Sequence, residues 1–283
     1  MTTLQTEVRT LDDADLDDAW RLLGRDPVAH VFVAARVRAY GLDAWRLGCP
    51  VLGHFRDGEL VAMCHCGSNL VPVEADAEAL AAFVVSGSGV RRCSSIVGPA
   101  EQALGLWELS SEHWGRSWSA VREVRRSQPM LAISTEPVVA PDERVIRIGM
   151  EHLDAYFDAA VRMYTEEVGV SPLVGGDRGP YLNYVRRLIQ QGRAFGIVED
   201  GRVIYKSDIG SVAQDVAQVQ GVWLSPELRG RGLAAPAMAA VVRLAREQTA
   251  TISLYVNSFN APARATYARV GFHQVGEFAT VLY

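Results

Sequence analysis

The chain has 283 residues, a formal charge of −5, and 49% hydrophobic against 22% charged residues. That balance is globular and excludes a disordered polar chain or a collagen-like fibre, and at about 150 residues per domain the length suits two domains. The acidic balance weighs against nucleic acid as a partner, no apolar run approaches the roughly 20 residues that span a bilayer, and the acidic start Met1 to Asp18 has no apolar signal core, so a cytoplasmic protein without a membrane partner is expected.

In chain order, Val8-Arg9 stands ahead of Leu16, and Gly53-His-Phe-Arg-Asp57-Gly58-Glu-Leu follows. Its Asp-Gly between apolar alternations predicts a β-hairpin. Cys64-His65-Cys66 comes next. Along a strand these side chains diverge and no second ligand pair follows. With Cys49 and Cys93 they read as reduced thiols, with neither a disulfide framework nor a metal site. Trp107, Trp114 and Trp118 fit core or domain-contact positions, and Arg122, Arg125 and Arg126 read as a solvated helix face. Ser134-Thr-Glu-Pro-Val-Val-Ala-Pro-Asp-Glu143, rich in proline and acids, reads as a linker. It predicts one domain over 1–135, a linker over 136–143 and a second domain over 144–283.

The second half repeats features of the first. Ile146-Arg147 precedes Leu153, and Gly196-Ile-Val-Glu-Asp200-Gly201-Arg-Val has the internal spacing of the earlier glycine and Asp-Gly pair, which predicts a duplicated unit. The expected elements are a strand over Arg144–Ile148, helices over Glu151–Tyr164 and Gly179–Gln190, and strands over Ala194–Glu199, Arg202–Ile209 and Val216–Leu224. A loop over Ser225–Gly232, a helix over Leu233–Glu247, a strand over Thr251–Val256, a helix over Ala261–Val270 and a strand over Val275–Val281 complete them. That order is a mixed α/β unit. Lys206, in the second of these strands, is the chain's one lysine, and the arginine bias elsewhere has the look of genome composition.

The informative segment runs Val222-Trp223-Leu224-Ser225-Pro226-Glu227-Leu228-Arg229-Gly230-Arg231-Gly232-Leu233-Ala234-Ala235-Pro236. An apolar strand ends at Leu224, a glycine-rich turn follows, and Pro236 marks the first turn of a helix. The two glycines permit positive φ, and the amides from Arg229 to Ala234 are placed to converge on an anion at the helix N-terminus. Gly-Lys-Ser/Thr is absent, so this is no nucleotide P-loop, and G-x-G-x-x-G fails at Ala235.

Arg229, Gly232 and Ala234, reinforced by Gly230, match Gln/Arg-x-x-Gly-x-Gly/Ala, and here the sequence resembles the GNAT superfamily of N-acetyltransferases. Asn260-Ala-Pro-Ala263-Arg264-Ala-Thr-Tyr267-Ala-Arg-Val-Gly271-Phe272 is similar to that family's closing motif, at a matching distance downstream. The resemblance covers about Arg144 to Tyr283. It implies acetyl-CoA as co-substrate, with no metal, and an amine acceptor that is a small molecule or a protein. It further implies a splayed parallel strand pair at Val222, Trp223 and Leu224 where the pantetheine arm pairs. The pyrophosphate would lie on the amides of Arg229, Gly230, Arg231, Gly232, Leu233 and Ala234. Asn260 would contact the arm or cap the last helix, and Tyr267 would be the acid that protonates the departing thiolate.

Each role has a plainer counterpart. Tyr267 beside Val270 and Phe272 also fits a core, Asn260 an N-cap, and Arg229 and Arg231 a solvated surface. The base that takes the amine proton is sought among Glu166, Glu167 and Asp208, and Glu167 is favoured. In the first half, Leu70-Val-Pro-Val-Glu-Ala-Asp-Ala-Glu-Ala-Leu80 has no glycine and carries three acids that would repel a pyrophosphate, and no tyrosine motif follows. The expectation is therefore an α/β protein with two GNAT-like domains in tandem, each a mixed central sheet flanked by helices. The first is a degenerate half, as in tandem acetyltransferases of the actinobacterial type. The alternative to an enzyme is an acyl-CoA-binding sensor or interaction module without catalysis.

Overall fold

The computed structural model describes residues 5–283. The chain forms two compact units of interleaved segments. One holds the chain up to Leu131 together with Tyr255–Asn260 and Gln274–Tyr283, and the other holds Ala132–Leu254 and Ala261–His273.

The first unit is built from β1 (Thr6–Thr10), α1 (Leu16–Leu23), α2 (Pro27–Tyr40), the short α3 (Ala44–Leu47), β2 (Val51–Arg56), β3 (Glu59–Cys66), β4 (Asn69–Val73), α4 (Ala77–Ser86), β5 (Ser95–Pro99), α5 (Ala100–Trp114), the short α6 (Arg116–Ser119) and β6 (Glu123–Ile133). The second has β7 (Ile146–Arg147), α7 (Leu153–Val168), α8 (Gly179–Gln190), β8 (Ala194–Glu199), β9 (Arg202–Ala213), β10 (Val216–Leu224), α9 (Ala234–Arg246), β11 (Thr251–Tyr255) and α10 (Ala261–Val270). The last strand, β12 (His273–Leu282), lies in the sheet of the first unit, whose order is β1-β2-β3-β4-β5-β12-β6. In the second unit the order is β11-β10-β9-β8-β7. Each sheet is mixed: β4 with β5, and β10 with β11, are parallel pairs beside antiparallel neighbours.

The two halves thus repeat one element order, a strand, helices, three antiparallel strands, then helix, strand, helix and strand. Both Asp-Gly hairpins form with left-handed backbone at each residue, Asp57 (φ 49°) and Gly58 (φ 83°), Asp200 (φ 49°) and Gly201 (φ 72°). That is the type I′ geometry whose twist suits a two-residue loop. The first core gathers Phe83, Ile96, Leu106 and Trp118, with Trp107 and Trp114 packed against it and their indoles donating to the carbonyls of Trp118 and Val84. In the second unit, α7 and α8 cover the sheet through Tyr156, Phe157, Val185 and Leu188. The alanines 235, 237, 239 and 240 of α9 are buried, as small residues on a helix packed close to its neighbours.

One sequence expectation is corrected here. Arg125 and Arg126 stand on β6 rather than a helix, Arg125 paired with Glu123 at 2.9 Å and Arg126 near Glu108 and over the Trp107 ring. A run of charges at the strand's start hides the alternation, and the rest of the strand, from Gln128, is buried on both faces. Cys64 and Cys66 lie on β3, and the four cysteines are free. Among the described residues no cluster of three or more His, Cys, Asp or Glu side chains can hold a metal, and no helix is long and apolar enough to cross a membrane.

The units differ where a parallel strand passes into the next helix. After β4, the Asp76 carboxylate accepts the Ala79 N–H at 3.0 Å, Gln102 Oε1 accepts the Ala75 N–H at 3.0 Å, and Arg56 pairs with Asp76 at 2.6 Å. The helix start is closed by the protein's own side chains. Asp76→Ala should cost about 1 kcal/mol of stability. The measurement is urea unfolding followed by tryptophan fluorescence, since Trp20, Trp45, Trp107, Trp114 and Trp118 all report on this unit.

Candidate active site

β10 pairs with β11 only at Val216–Thr251, Ala217–Ile252 and Gln218–Ser253, and among the described residues the parallel ladder ends there. On its other side β10 continues along β9 to Leu224, but the register jumps between Gln220–Asp208 and Trp223–Lys206. Gly221 and Val222 therefore stand opposite a single residue, a β-bulge, with Gly221 at φ 59°. The segment Val222, Trp223 and Leu224 has β9 on one edge and lies past the end of the β11 ladder on the other.

The chain leaves β10 through a 3₁₀ turn at Pro226–Leu228 and reaches Gly230 (φ 75°) and Gly232 (φ 78°). A Cβ at either glycine would meet nothing within 4 Å, so the left-handed backbone calls for glycine and the space above it is open. α9 then starts at Ala234 without a side-chain cap, unlike α4, and Pro236 sits in its first turn. Uncapped amides and the positive end of the helix dipole make this an anion-accepting terminus. The Arg229 side chain folds back along the surface, its Nε donating to the Leu224 carbonyl at 2.9 Å and Nη2 to Glu166 at 2.6 Å. Arg231 is exposed.

Glu166 and Glu167 occupy the last turn of α7, which has no basic residue. Two carboxylates there oppose the helix dipole. Glu166 is compensated by Arg229 and by the Trp223 indole, which donates to it at 3.1 Å. Glu167 is exposed. Tyr267, on α10, is buried with its ring edge-on to Phe272 at 5.8 Å. Its phenol is pushed well above the ordinary tyrosine value, first by burial and then by the Glu167 charge. The fold brings Glu167 and Tyr267 into one electrostatic neighbourhood, and joins Trp223, Leu224 and Arg229 through Glu166. Asn260, the residue before α10, is exposed, belongs to the Tyr255–Asn260 segment of the first unit, and donates its N–H to Asn257.

Asp208, a sequence candidate for the base, is corrected. It is buried on β9 and accepts from Lys206 Nζ at 2.7 Å and from the Tyr156 hydroxyl at 2.6 Å. Its lone pairs serve this network. The partner on α7 is distant in sequence, so no spacing announced it. Sequence reading also passed over Tyr164, Tyr181 and Tyr184. Tyr181 and Tyr184 stack at 6.1 Å, Tyr164 meets Tyr181 at 5.7 Å, and Gln220 donates to the Tyr184 hydroxyl. Two tyrosines three apart on a predicted helix were the available signal.

The Acetyltransferase (GNAT) family model matches residues 161–272, which span α7 to α10, and a Domain of unknown function (DUF4081) matches residues 49–156. Residues 161–272 thus match the GNAT acetyltransferase family, and the chain has the fold of two GNAT-like domains in tandem. Solved structures resemble it along its whole length. A GCN5-related N-acetyltransferase from Sphaerobacter thermophilus is 16% identical over 99% of this chain and 96% of its own, with a TM-score of 0.60. A GNAT-family acetyltransferase from Colwellia psychrerythraea is 16% identical over 98% and 99%, with a TM-score of 0.57. A tandem GNAT protein from the clavulanic acid biosynthesis pathway is 13% identical over 98% of both chains, with a TM-score of 0.50. At these identities the likeness is one of fold. No curated protein matches the sequence.

Burial also raises the phenols of Tyr156 and Tyr205. The fold favours their neutral forms, so stability is independent of these groups below about pH 10, where free tyrosine ionises, and falls as pH rises beyond it. A spectrophotometric titration should show Tyr156, Tyr205 and Tyr267 ionising only together with unfolding, after the exposed tyrosines.

Proposed function

We propose that the protein transfers an acetyl group from acetyl-CoA to an amine by direct attack of the amine on the thioester. The observation that carries this is the end of the β10–β11 ladder at Gln218–Ser253, in a strand that continues to Leu224 and feeds an uncapped helix start through two left-handed glycines. An extended amide arm ending in a diphosphate fits that sequence of features. The main chain of Val222, Trp223 and Leu224 would pair with the arm, and the amides of Arg229 to Ala234 would hold the diphosphate. The guanidinium of Arg229 takes no part, apart from securing the loop to Glu166.

When bound, acetyl-CoA supplies an activated acyl group. The protein's own contribution is to move two protons. The acceptor is an ammonium ion at neutral pH and must lose a proton before it attacks; Glu167 takes it. Tyr267 keeps its proton in the resting site because burial and the Glu167 charge both oppose ionisation. Once Glu167 has been protonated, the second of those causes is gone. The phenol becomes a better donor at the moment negative charge collects on sulfur. Base and acid are thus coupled through the charge of Glu167.

Isothermal calorimetry with acetyl-CoA and a CoA-release assay across amines and peptides test the reading. Lys206, the chain's one lysine, is fully buried, so acetyl groups found on lysine in such a panel belong to the acceptor. No heat of binding and no release would remove the function; binding without transfer to any amine would leave a sensor of acyl-CoA in its place. Tyr267→Phe should lower kcat by about 10²-fold or more with little change in acetyl-CoA affinity. Undiminished turnover would return Tyr267 to the core. Gly232→Val, which sets a β-branched side chain at φ 78°, should weaken acetyl-CoA binding by about tenfold, whereas Arg231→Ala should hold within about threefold.

A further inference from the structure

The buried network around Lys206 lies against the β10 bulge and is used by none of the steps above. Lys206 is wholly inaccessible. Its ammonium donates to Asp208 Oδ2 at 2.7 Å and to the Gly221 carbonyl at 2.9 Å, and it lies 5.2 Å from the centre of the Tyr156 ring. The Tyr156 hydroxyl in turn donates to Asp208 Oδ1 at 2.6 Å and to the Ser207 carbonyl at 3.0 Å. A Cβ on Gly221 would meet Asp208 Oδ2 at 2.9 Å and both Lys206 Nζ and Met163 Cε at 3.0 Å, so the bulge is seated directly on the network.

A buried ion pair is a costly way to gain stability, because desolvation of both ions opposes their attraction. Of the 28 Lys and Arg residues in the chain the single lysine stands here. A guanidinium carries five donors in a rigid plane, too many for the acceptors of this site. An ammonium has three rotatable donors that suit one carboxylate and one carbonyl. The acceptor that matters is the carbonyl of Gly221. A trans peptide is planar, so a carbonyl pulled toward Lys206 forces the following N–H, that of Val222, to point the opposite way. The tilt of Val222 and the course of Trp223 and Leu224 beyond it are then set by Lys206 from the α7 side of the sheet.

We propose that Lys206, held by Asp208 and Tyr156, is a positioning residue that locks the Gly221–Val222 peptide and so aims the edge of β10 past Gln218. The proposal rests on the reading of that edge as the acyl-donor site. It predicts that loosening the network costs turnover more than donor affinity, because most of the donor's contacts would lie on the loop from Arg229 to Ala234, while the reacting group would lie at the bulge.

Two proteins test it. Lys206→Met with Asp208→Asn removes the clamp without leaving an uncompensated buried charge, and Tyr156→Phe removes one hydroxyl from the network. In the double variant kcat should fall by about ten- to a hundredfold, with the acetyl-CoA Kd from calorimetry within about threefold of the parent. Hydrogen exchange on the free protein, which needs no donor, should accelerate by about tenfold or more at Gly221–Leu224 and stay unchanged at Val216–Val219. Tyr156→Phe should move both readouts the same way by a smaller factor. The proposal is overturned if exchange at Gly221–Leu224 is unchanged in both proteins, or if kcat stays within about twofold of the parent. Should the double variant fail to fold, Tyr156→Phe decides by the same two criteria. A parent protein that neither binds nor turns over acetyl-CoA would overturn the assigned activity, while the exchange pattern still judges the clamp.

Discussion

Along a strand the N–H and C=O groups of successive residues point to alternate edges, so a strand inside a sheet needs partners on both, and burial makes an unmet group expensive. β10 meets this requirement on both edges only as far as Gln218. Beyond it the strand still runs to Leu224, bent at the bulge of Gly221 and Val222 and paired with β9. A length of main chain with one edge past its ladder is a standing demand for a partner that can pair like a strand. The features around it answer to that demand: the glycine turn that lets the backbone approach a ligand, the helix start without a cap, and the carboxylate of Glu166 holding Arg229 and Trp223 in place.

The first unit is the internal control. It has the same order of elements and the same hairpin geometry at Asp57-Gly58, and its parallel pair β4–β5 is also short, at Asn69–Ser95 and Leu70–Ile96. What differs is chemistry at one helix start. Asp76 supplies the negative charge that an anion would otherwise bring, and Gln102 supplies the acceptor for the Ala75 amide. One fold thus carries two different helix starts, because the cap is local and the sheet is not.

The end of α7 shows the opposite arrangement. Glu166 and Glu167 sit where the helix dipole disfavours them, and no arginine or lysine in that turn compensates. Departures from local preference that persist in an otherwise consistent structure collect where side chains have work beyond stability. One of the two acids is consumed in fastening the loop after β10. The charge of the other adds to burial in opposing ionisation of Tyr267. The buried pair of Lys206 and Asp208 is a third such departure, and it too lies against the bulge.

The sequence by itself determined the element order of the second half, the two Asp-Gly turns, and the glycine loop running into α9, because each rests on neighbours in the chain: apolar period, turn chemistry, a proline in a first turn. The family resemblance rested on the same local signals. Three things were decided only by the tertiary structure. β12 joins the sheet of the first unit, although nothing in its residues names that partner. Asp208, an acid in an apolar strand, is taken up by Lys206 and by Tyr156 from another element. Of two adjacent glutamates, Glu166 pairs with Arg229, while the charge of Glu167 opposes ionisation of Tyr267. Strand pairing, ion pairing and the sharing of a carboxylate all depend on which distant segments meet, and that is settled by the packing of the whole sheet rather than by any local run of residues.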